Sequence, residues 1–153
     1  MEKLIESQTI GLTTSYYNIG ERDTLGCETG VEFLITDFLK GFANYTIQDM
    51  EDVKSDGRYR AAPEHKFNTG LDLTLNNGFN ATITLHYVDD YEMTLGKIDP
   101  YILVNGRIAY MFPRKDLELA VVFYNILHDK HRECPVTGDE IGTAINISII
   151  YKF

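Results

Sequence analysis

The sequence predicts an all-β protein, an antiparallel up-and-down transmembrane β-barrel of about eight strands. The first reason is a period-two alternation of apolar and polar side chains. It is clearest in residues 143–153, where small or polar residues mostly separate Ile145, Ile147, Ile149 and Tyr151. The second reason is that short turns alternate with longer charged loops, as in barrels that cross a membrane. Aromatic residues near the strand ends suit a membrane interface and give a third reason.

Eight segments show the alternation in chain order. The first is only a stub at residues 3–8, and the others are residues 31–35, 40–48, 66–75, 79–87, 102–112, 117–124 and 143–153. Several segments run to about ten residues, the length that crosses a bilayer at a tilt. Between the strand ends, Asp, Glu, Lys and Arg are absent from the apolar side of each segment. We therefore expect the apolar side chains to face lipid and the polar side chains to line the lumen.

The connections fall into two classes. Residues 36–38, 76–78 and 113–116 are short turns, whereas residues 49–64, 89–100 and 128–141 are long and charged. The Asn-Asn-Gly turn is favourable because Asn and Gly tolerate positive φ. The aromatic residues near strand ends are Tyr45, Phe67, Phe79, Tyr87, Phe112, Phe123, Tyr151 and Phe153. This pattern predicts short turns on one side of the membrane and long loops on the other.

Length and charge set limits on the function. The 153 residues are expected to form one domain, a single β-barrel segment covering residues 1–153. The net charge of −9, without a cluster of Lys and Arg, argues against nucleic acid as a partner. The sequence has neither a run of 18 apolar residues nor a recognisable export signal. Cys27 and Cys134 are interpreted as two unrelated thiols, with a disulfide between them left open.

Candidate ligand-facing or lumen-facing residues follow from the same alternation. Glu32, Asp72, His86, Arg107 and Glu118 all fall on the polar side of their segments. Opposite charges on such a face can pair across neighbouring strands. We expect no catalytic residues, no cofactor and no enzyme activity, because the sequence has no nucleophile elbow, phosphate loop or HExxH motif.

A metal site in the last long loop is the main alternative among the histidines. His128 and His131 lie three residues apart, close to Asp129, Glu133 and Cys134. These residue types can bind transition metals. However, spacing within a loop implies no fixed geometry. We therefore predict a solvated polar loop and no metal site.

Four motifs, in order along the chain, resemble the C-terminal β-barrel of TonB-dependent outer-membrane receptors. Residues 17–21 (YNIGE) followed by 30–33 (GVEF) resemble an "N-x-G … G-V-E" strand of that family. Residues 62–71 (APEHKFNTGL) resemble "P-x-H-K-x-N-x-G-L", and residues 123–130 (FYNILHDK) resemble "N-L-F-D-K" at the end of the penultimate strand. The chain then closes on Tyr-Lys-Phe. Departures at residues 24–29, 125–128 and 138–140 fall in loops and at strand ends, so they affect the identity of the ligand and leave the fold intact.

The resemblance implies a piece of a 22-stranded barrel in the bacterial outer membrane. Such receptors carry a plug domain and a TonB-contacting segment, and neither is recognisable in this sequence. The expected function is TonB-dependent uptake of an iron chelate or similar nutrient, with this piece unable to transport alone. Implied partners are outer-membrane lipid, a small molecule such as a ferric siderophore in the intact receptor, and the TonB complex through N-terminal regions outside this sequence. Two alternatives remain: a self-sufficient eight-stranded structural or adhesion barrel, and a soluble lipocalin-like binder.

Overall fold

The computed structural model describes residues 2–10, 12–53, 57–58, 60–93, 96–113, 116–134 and 138–151. These residues form β-strands, turns and loops. The strands are β1 (Glu2–Ile10), β2 (Thr13–Thr36), β3 (Leu39–Asp52), β4 (Gly57–Arg58), β5 (His65–Thr74), β6 (Phe79–Val88), β7 (Tyr91–Met93), β8 (Gly96–Ile98), β9 (Tyr101–Phe112), β10 (Leu117–Tyr124) and β11 (Ala144–Tyr151). A helix long and apolar enough to span a membrane is not found in the described part of the chain. The strands β1 to β11 confirm the all-β prediction.

The long strands form one antiparallel sheet in which neighbours in the chain are neighbours in space. The order is β1-β2-β3-β5-β6-β9-β10-β11, with β4 paired to β3 and with β7 and β8 in a separate hairpin. This is the up-and-down arrangement that the alternating turns and loops predict. Within the described residues β1 and β11 are the two edges of the sheet and do not pair with each other. The sheet is therefore an open part of a barrel wall.

The sequence predicts the first strand as a short stub within the wall, and the structure differs from this prediction. It has nine residues and pairs only with residues 13–22 of β2, whereas β3 pairs with β2 from Arg22 to Thr36. Strand β2 has 24 residues, about 80 Å at 3.3 Å per residue, so it extends far beyond a bilayer. The sequence does not indicate this extension, because residues 13–17 (TTSYY) show no alternation of apolar and polar side chains. The wall proper therefore has seven strands, β2, β3, β5, β6, β9, β10 and β11.

The register gives the wall two chemically different faces. One row of paired residues runs across all seven strands: Phe33, Gly41, Leu71, Ile83, Gly106, Phe123 and Ile145. We call the face carrying this row the apolar face, and the opposite one the polar face. Ile145, Ile147 and Ile149 are 60%, 77% and 69% exposed. The apolar side chains are thus exposed and not packed in a dry interior, because a single sheet has no second layer to cover them.

Aromatic side chains mark both ends of the apolar face. Phe79, Tyr110 and Phe112 lie at the short-turn end, where the rings of Tyr110 and Phe112 meet edge to face at 4.9 Å. Tyr45, Phe67 and Tyr87 form one paired row near the long-loop end. Phe79 and Tyr87 stand eight residues apart on β6, which is about 27 Å along the strand. At a strand tilt of about 35–45° this spacing corresponds to about 19–22 Å across the membrane, slightly less than the apolar band of about 25 Å.

The short turns are held by local backbone contacts. In the turn between β5 and β6, Gly78 N–H donates to the Leu75 carbonyl at 3.2 Å, and Phe79 N–H donates to Asn77 Oδ1 at 3.0 Å. Gly78 has a φ of +94°, and its carbonyl accepts the Met111 N–H of β9 at 2.8 Å. A side chain at Gly78 would strike the Met111 backbone. This turn therefore requires glycine.

Candidate ligand-facing wall and loop rim

The polar face carries a network around Arg107, near the middle of β9. The Arg107 guanidinium donates to Asn80 Oδ1 of β6 at 2.6 Å and to Glu118 Oε1 of β10 at 2.5 Å. The side chains of Arg107 and Glu118 retain 35% and 16% exposure. Charge-assisted bonds of this kind are stronger than neutral ones. Two predicted site residues, Arg107 and Glu118, are therefore bound to each other across neighbouring strands.

Asp72 continues this line of charges across the wall. Its Oδ1 accepts a hydrogen bond of 2.6 Å from the Thr82 hydroxyl, and Thr82 is paired with Arg107 on the next strand. On its other side Asp72 is paired with Lys40 of β3. Opposite charges at directly paired positions favour the pairing of strands. Lys40, Asp72, Thr82 and Arg107 thus form one row over four strands, in which the Asp72 carboxylate lies between two cations and is bonded to the Thr82 hydroxyl. We call these residues the charged row.

Glu32 borders a cleft at one end of the charged row. A cavity of about 470 Å³ is lined by Glu32, Leu34, Lys40, Phe42 and Asp72, together with the adjoining backbone. Glu32 is paired with Phe42, whose ring covers Gly70. The cleft thus combines two carboxylates, an ammonium group and an aromatic ring. This arrangement can bind a ligand that carries both polar and flat apolar parts.

His86 stands apart from the charged row, closer to the long loops. It is paired with Asn68 of β5 and with Leu103 of β9. The buried Oδ1 of Asn68 has no hydrogen-bond partner within the described part of the chain. The register places all five predicted residues on the polar face, as the alternation indicates. Their role toward a ligand remains a prediction.

The long loops form a rim at the other end of the wall. We call residues 53–64 loop A, residues 89–100 loop B and residues 125–143 loop C. In loop A, Arg58 contacts Asp49 and Glu64, each at 2.9 Å. Arg60 of loop A and Lys97 of loop B both contact Asp90, at 2.9 Å and 3.1 Å. The Lys97 hydrogen bond and the charges of Lys97 and Arg60 lower the pKa of Asp90.

Loop C is organised by Asn125, which is only 1% exposed. Its side-chain amide donates to the carbonyls of Asp129 at 2.9 Å and Ile141 at 3.2 Å, and its Oδ1 accepts the Asp129 N–H at 3.0 Å. Asn105 of β9 accepts the Asn125 backbone N–H at 2.9 Å. The φ of Asn125 is +50°, which Asn adopts more readily than most residues. One amide therefore holds both arms of loop C against the wall.

Most described residues of loop C are exposed, as the prediction of a solvated loop requires, but a buried stack at His131 holds the loop over the polar face. His131 is 7% exposed and stacks on Tyr101 with 4.0 Å between ring centroids, and its Nδ1 lies 2.9 Å from the Asp129 carbonyl oxygen. Tyr91 of loop B donates to the Glu133 carbonyl at 3.4 Å. Burial raises the pKa of Tyr91. Sequence reasoning missed this stack because its two members come from separate segments, β9 and loop C.

The remaining candidate ligands are dispersed. His128 Nδ1 lies 3.0 Å from the Thr143 hydroxyl, away from the buried His131. Within the described ranges, no group of three or more His, Cys, Asp or Glu side chains is placed to hold a metal ion. No disulfide joins Cys27, which is exposed on β2, to Cys134, which is half-buried in loop C.

A model of the outer membrane protein beta-barrel family matches residues 3–145 of this sequence. The match covers nearly the whole chain, including all seven wall strands at least in part. The chain belongs to the outer membrane protein beta-barrel family. This membership places the protein in the outer membrane of bacteria, as predicted.

Solved structures with the same fold are outer-membrane receptors and transporters. FpvAI in its complex with pyocin S2 has a TM-score of 0.78 at 13% identity, over 97% of this chain and 23% of that one. The copper transporter OprC has a TM-score of 0.76 at 12% identity, and the match covers 97% of this chain and 27% of OprC. The siderophore receptor PiuA from Acinetobacter baumannii has a TM-score of 0.69 at 16% identity, and the match covers 89% of this chain and 22% of PiuA. The resemblance to the receptor barrel is confirmed in fold, and this chain spans about a quarter of each matched structure.

Proposed function

We propose that this chain is the C-terminal barrel part of a receptor that takes up an iron chelate or similar nutrient by TonB-dependent transport. The observation that carries the proposal is the two-faced, seven-stranded wall. Its apolar face meets lipid, and its polar face carries a charged row beneath loops that fold inward. The solved receptors that share this fold support the assignment.

The short turns would lie on the periplasmic side and loops A to C on the external side. The cleft bordered by Glu32 and Asp72, the Arg107–Glu118 pair and His86 would then face the lumen. There they would contact the ligand or the plug of the intact receptor. Neither role involves bond making, so we propose no catalytic activity.

The open sheet supports the proposal that this chain is part of a larger barrel and does not transport a ligand alone. Within the described residues, no further strand pairs with the outer edge of the wall along residues 23–36 of β2 or along β11, and open edges are unstable in a bilayer. This geometry disfavours a self-sufficient eight-stranded barrel, because β1 pairs beyond the wall instead of closing it. The outward apolar face disfavours a soluble lipocalin-like binder, whose apolar side chains face inward.

Growth under iron limitation tests the proposal. A strain without its own iron receptors would produce the full-length protein that carries this segment and would be offered single ferric chelates. We expect growth on at least one chelate, loss of growth without TonB, and no growth when residues 1–153 are produced alone. Growth that is independent of TonB, or transport by the isolated 153 residues, would overturn the corresponding part of the proposal.

The wall residues can be tested in the same strain. Arg107→Ala removes the cation bound to Glu118, and Glu118→Gln keeps the shape of the side chain while removing its charge. We expect both variants to lower chelate uptake several-fold while the protein still reaches the outer membrane. Ser148→Ala serves as a control, because Ser148 is exposed on the same face of β11, away from the charged row. Unchanged uptake in both charge variants would remove these residues from the site.

A further inference from the structure

We propose that the apolar face carries a binding groove for one acyl chain of a phospholipid, with Gly106 as its floor. A cavity of about 460 Å³ opens on this face, within the size range of small-molecule sites. Its walls include Leu73, Ala81, Ile83, Ile108, Phe123 and Ile126. Thr82 and Arg107 also border it, although their side chains form hydrogen bonds on the polar face.

Two glycines in one paired row show why the groove lies at Gly106. At Gly41 the space that a side chain would fill is already occupied by the Phe33 ring and by Leu71 Cδ2. At Gly106 the position of a Cβ would have only Ile126 Cδ1 at 3.3 Å and the Thr82 carbonyl oxygen at 3.7 Å nearby. Ala81, one paired row away, adds a second small side chain. The space above Gly41 is therefore filled by a ring and a leucine, whereas above Gly106 only the end of the flexible Ile126 side chain approaches closely.

The height and opening of the groove indicate its occupant. Ile83 lies midway between Phe79 and Tyr87 on β6, so only hydrocarbon reaches the groove. Ile126, whose N–H donates to the Val104 carbonyl at 2.8 Å, closes the long-loop side. Leu39, Leu73 and Ala81 border the short-turn side. The choice of phospholipid rests on the proposed function, in which the short turns are periplasmic and the membrane leaflet on that side contains phospholipid. A seated chain gains dispersion contacts that an empty groove lacks.

Photocrosslinking tests the groove in the full-length protein that carries this segment. The protein is placed in nanodiscs of phosphatidylethanolamine and phosphatidylglycerol, with a trace of phosphatidylethanolamine bearing a diazirine near the methyl end of one acyl chain. Labelled peptides are then quantified by mass spectrometry. We expect peptides containing Ile83, Ile108 and Phe123 to be labelled several-fold more than the peptide of β11, although the β11 isoleucines are more exposed.

Two variants and a second lipid decide the outcome. Gly106→Leu fills the groove and should reduce this labelling several-fold, whereas Ala43→Leu adds bulk to the same face outside it and should not. Heat-modifiable migration in gels checks that both variants fold. Labelling that follows exposure alone, or that survives Gly106→Leu, would overturn the groove. Stronger labelling by diazirine-bearing lipid A would overturn the phospholipid assignment. Nutrient uptake does not enter this measurement, so the groove and the receptor function can fail separately.

Discussion

The two ends of the wall are built differently. At the short-turn end, the connections at residues 36–38 and 75–78 are held by bonds within the turn or to the adjacent strand, as between Gly78 and Met111. At the long-loop end, contacts join residues far apart in the chain, such as Tyr101 with His131 and Arg60 with Asp90. The turn end fixes the register of the strands. The loop end forms a surface on which ligand contacts can vary without disturbing the wall.

This difference leads to a rule for substitutions. A change at a turn should disturb the pairing of two strands and therefore the stability of the whole wall. A change in the rim should release a loop and leave the strands paired. Variants at the two ends can therefore be ranked by whether the wall or only a loop responds.

The largest effect is expected for Gly78→Ala. The substitution forces alanine to adopt a φ of +94° and pushes its methyl group against the Met111 backbone, so β6 and β9 must shift. We expect a loss of at least about 2 kcal/mol in the free energy of unfolding. Urea unfolding in detergent micelles measures this change. Asn76→Ala, an exposed change in the same turn, is the matched control and should be near neutral. Equal stability of the two variants would show that the turn does not set the register.

Asn125→Ala should release loop C without weakening the wall. The loss of the amide leaves the Asp129 and Ile141 carbonyls and the Asp129 N–H without their partner, at about 1–3 kcal/mol for each group that stays buried. We expect trypsin to cleave after Lys130 and Arg132 many-fold faster, with an unchanged urea midpoint for the wall. Asn125→Gly permits the φ of +50° but lacks the amide, so it should behave like alanine if hydrogen bonding dominates. A protected loop in both variants would contradict the role of Asn125.

The sequence predicts the turn end well because its information is local. Period-two alternation places Ile83, Arg107 and Glu118 on their correct faces, and Asn-Asn-Gly marks a turn without any knowledge of the tertiary structure. The alternation also predicts an outward apolar face, since charges are absent from it. These features depend on residues one or two positions apart, which a sequence displays directly.

The loop end could not be predicted from the same signals. The His131–Tyr101 stack joins residues 30 positions apart, and the polar composition of loop C does not indicate that Asn125 and His131 are its buried residues. The extension of β2 was missed because strand pairing beyond the membrane needs no apolar face. The Gly106 groove depends on which neighbouring side chain covers a glycine. Spacing alone does not distinguish Gly106 from Gly41.

The smallest effect is expected at Asp90, which joins loops A and B. Its pKa lies below the ordinary value of 3.8, so its stabilising contribution is complete above about pH 4 and is lost as the pH falls through the lowered value. Asp90→Asn mimics the protonated form at neutral pH. We expect trypsin to cleave after Arg60 and Lys97 a few-fold faster, since partly exposed ion pairs contribute about 0.2–1 kcal/mol each. Asp99→Asn, an exposed carboxylate in the same loop, is the control. If the two variants are cleaved at the same rate, or if loop C also opens in Asp90→Asn, the rim is a single unit and its loops do not move independently.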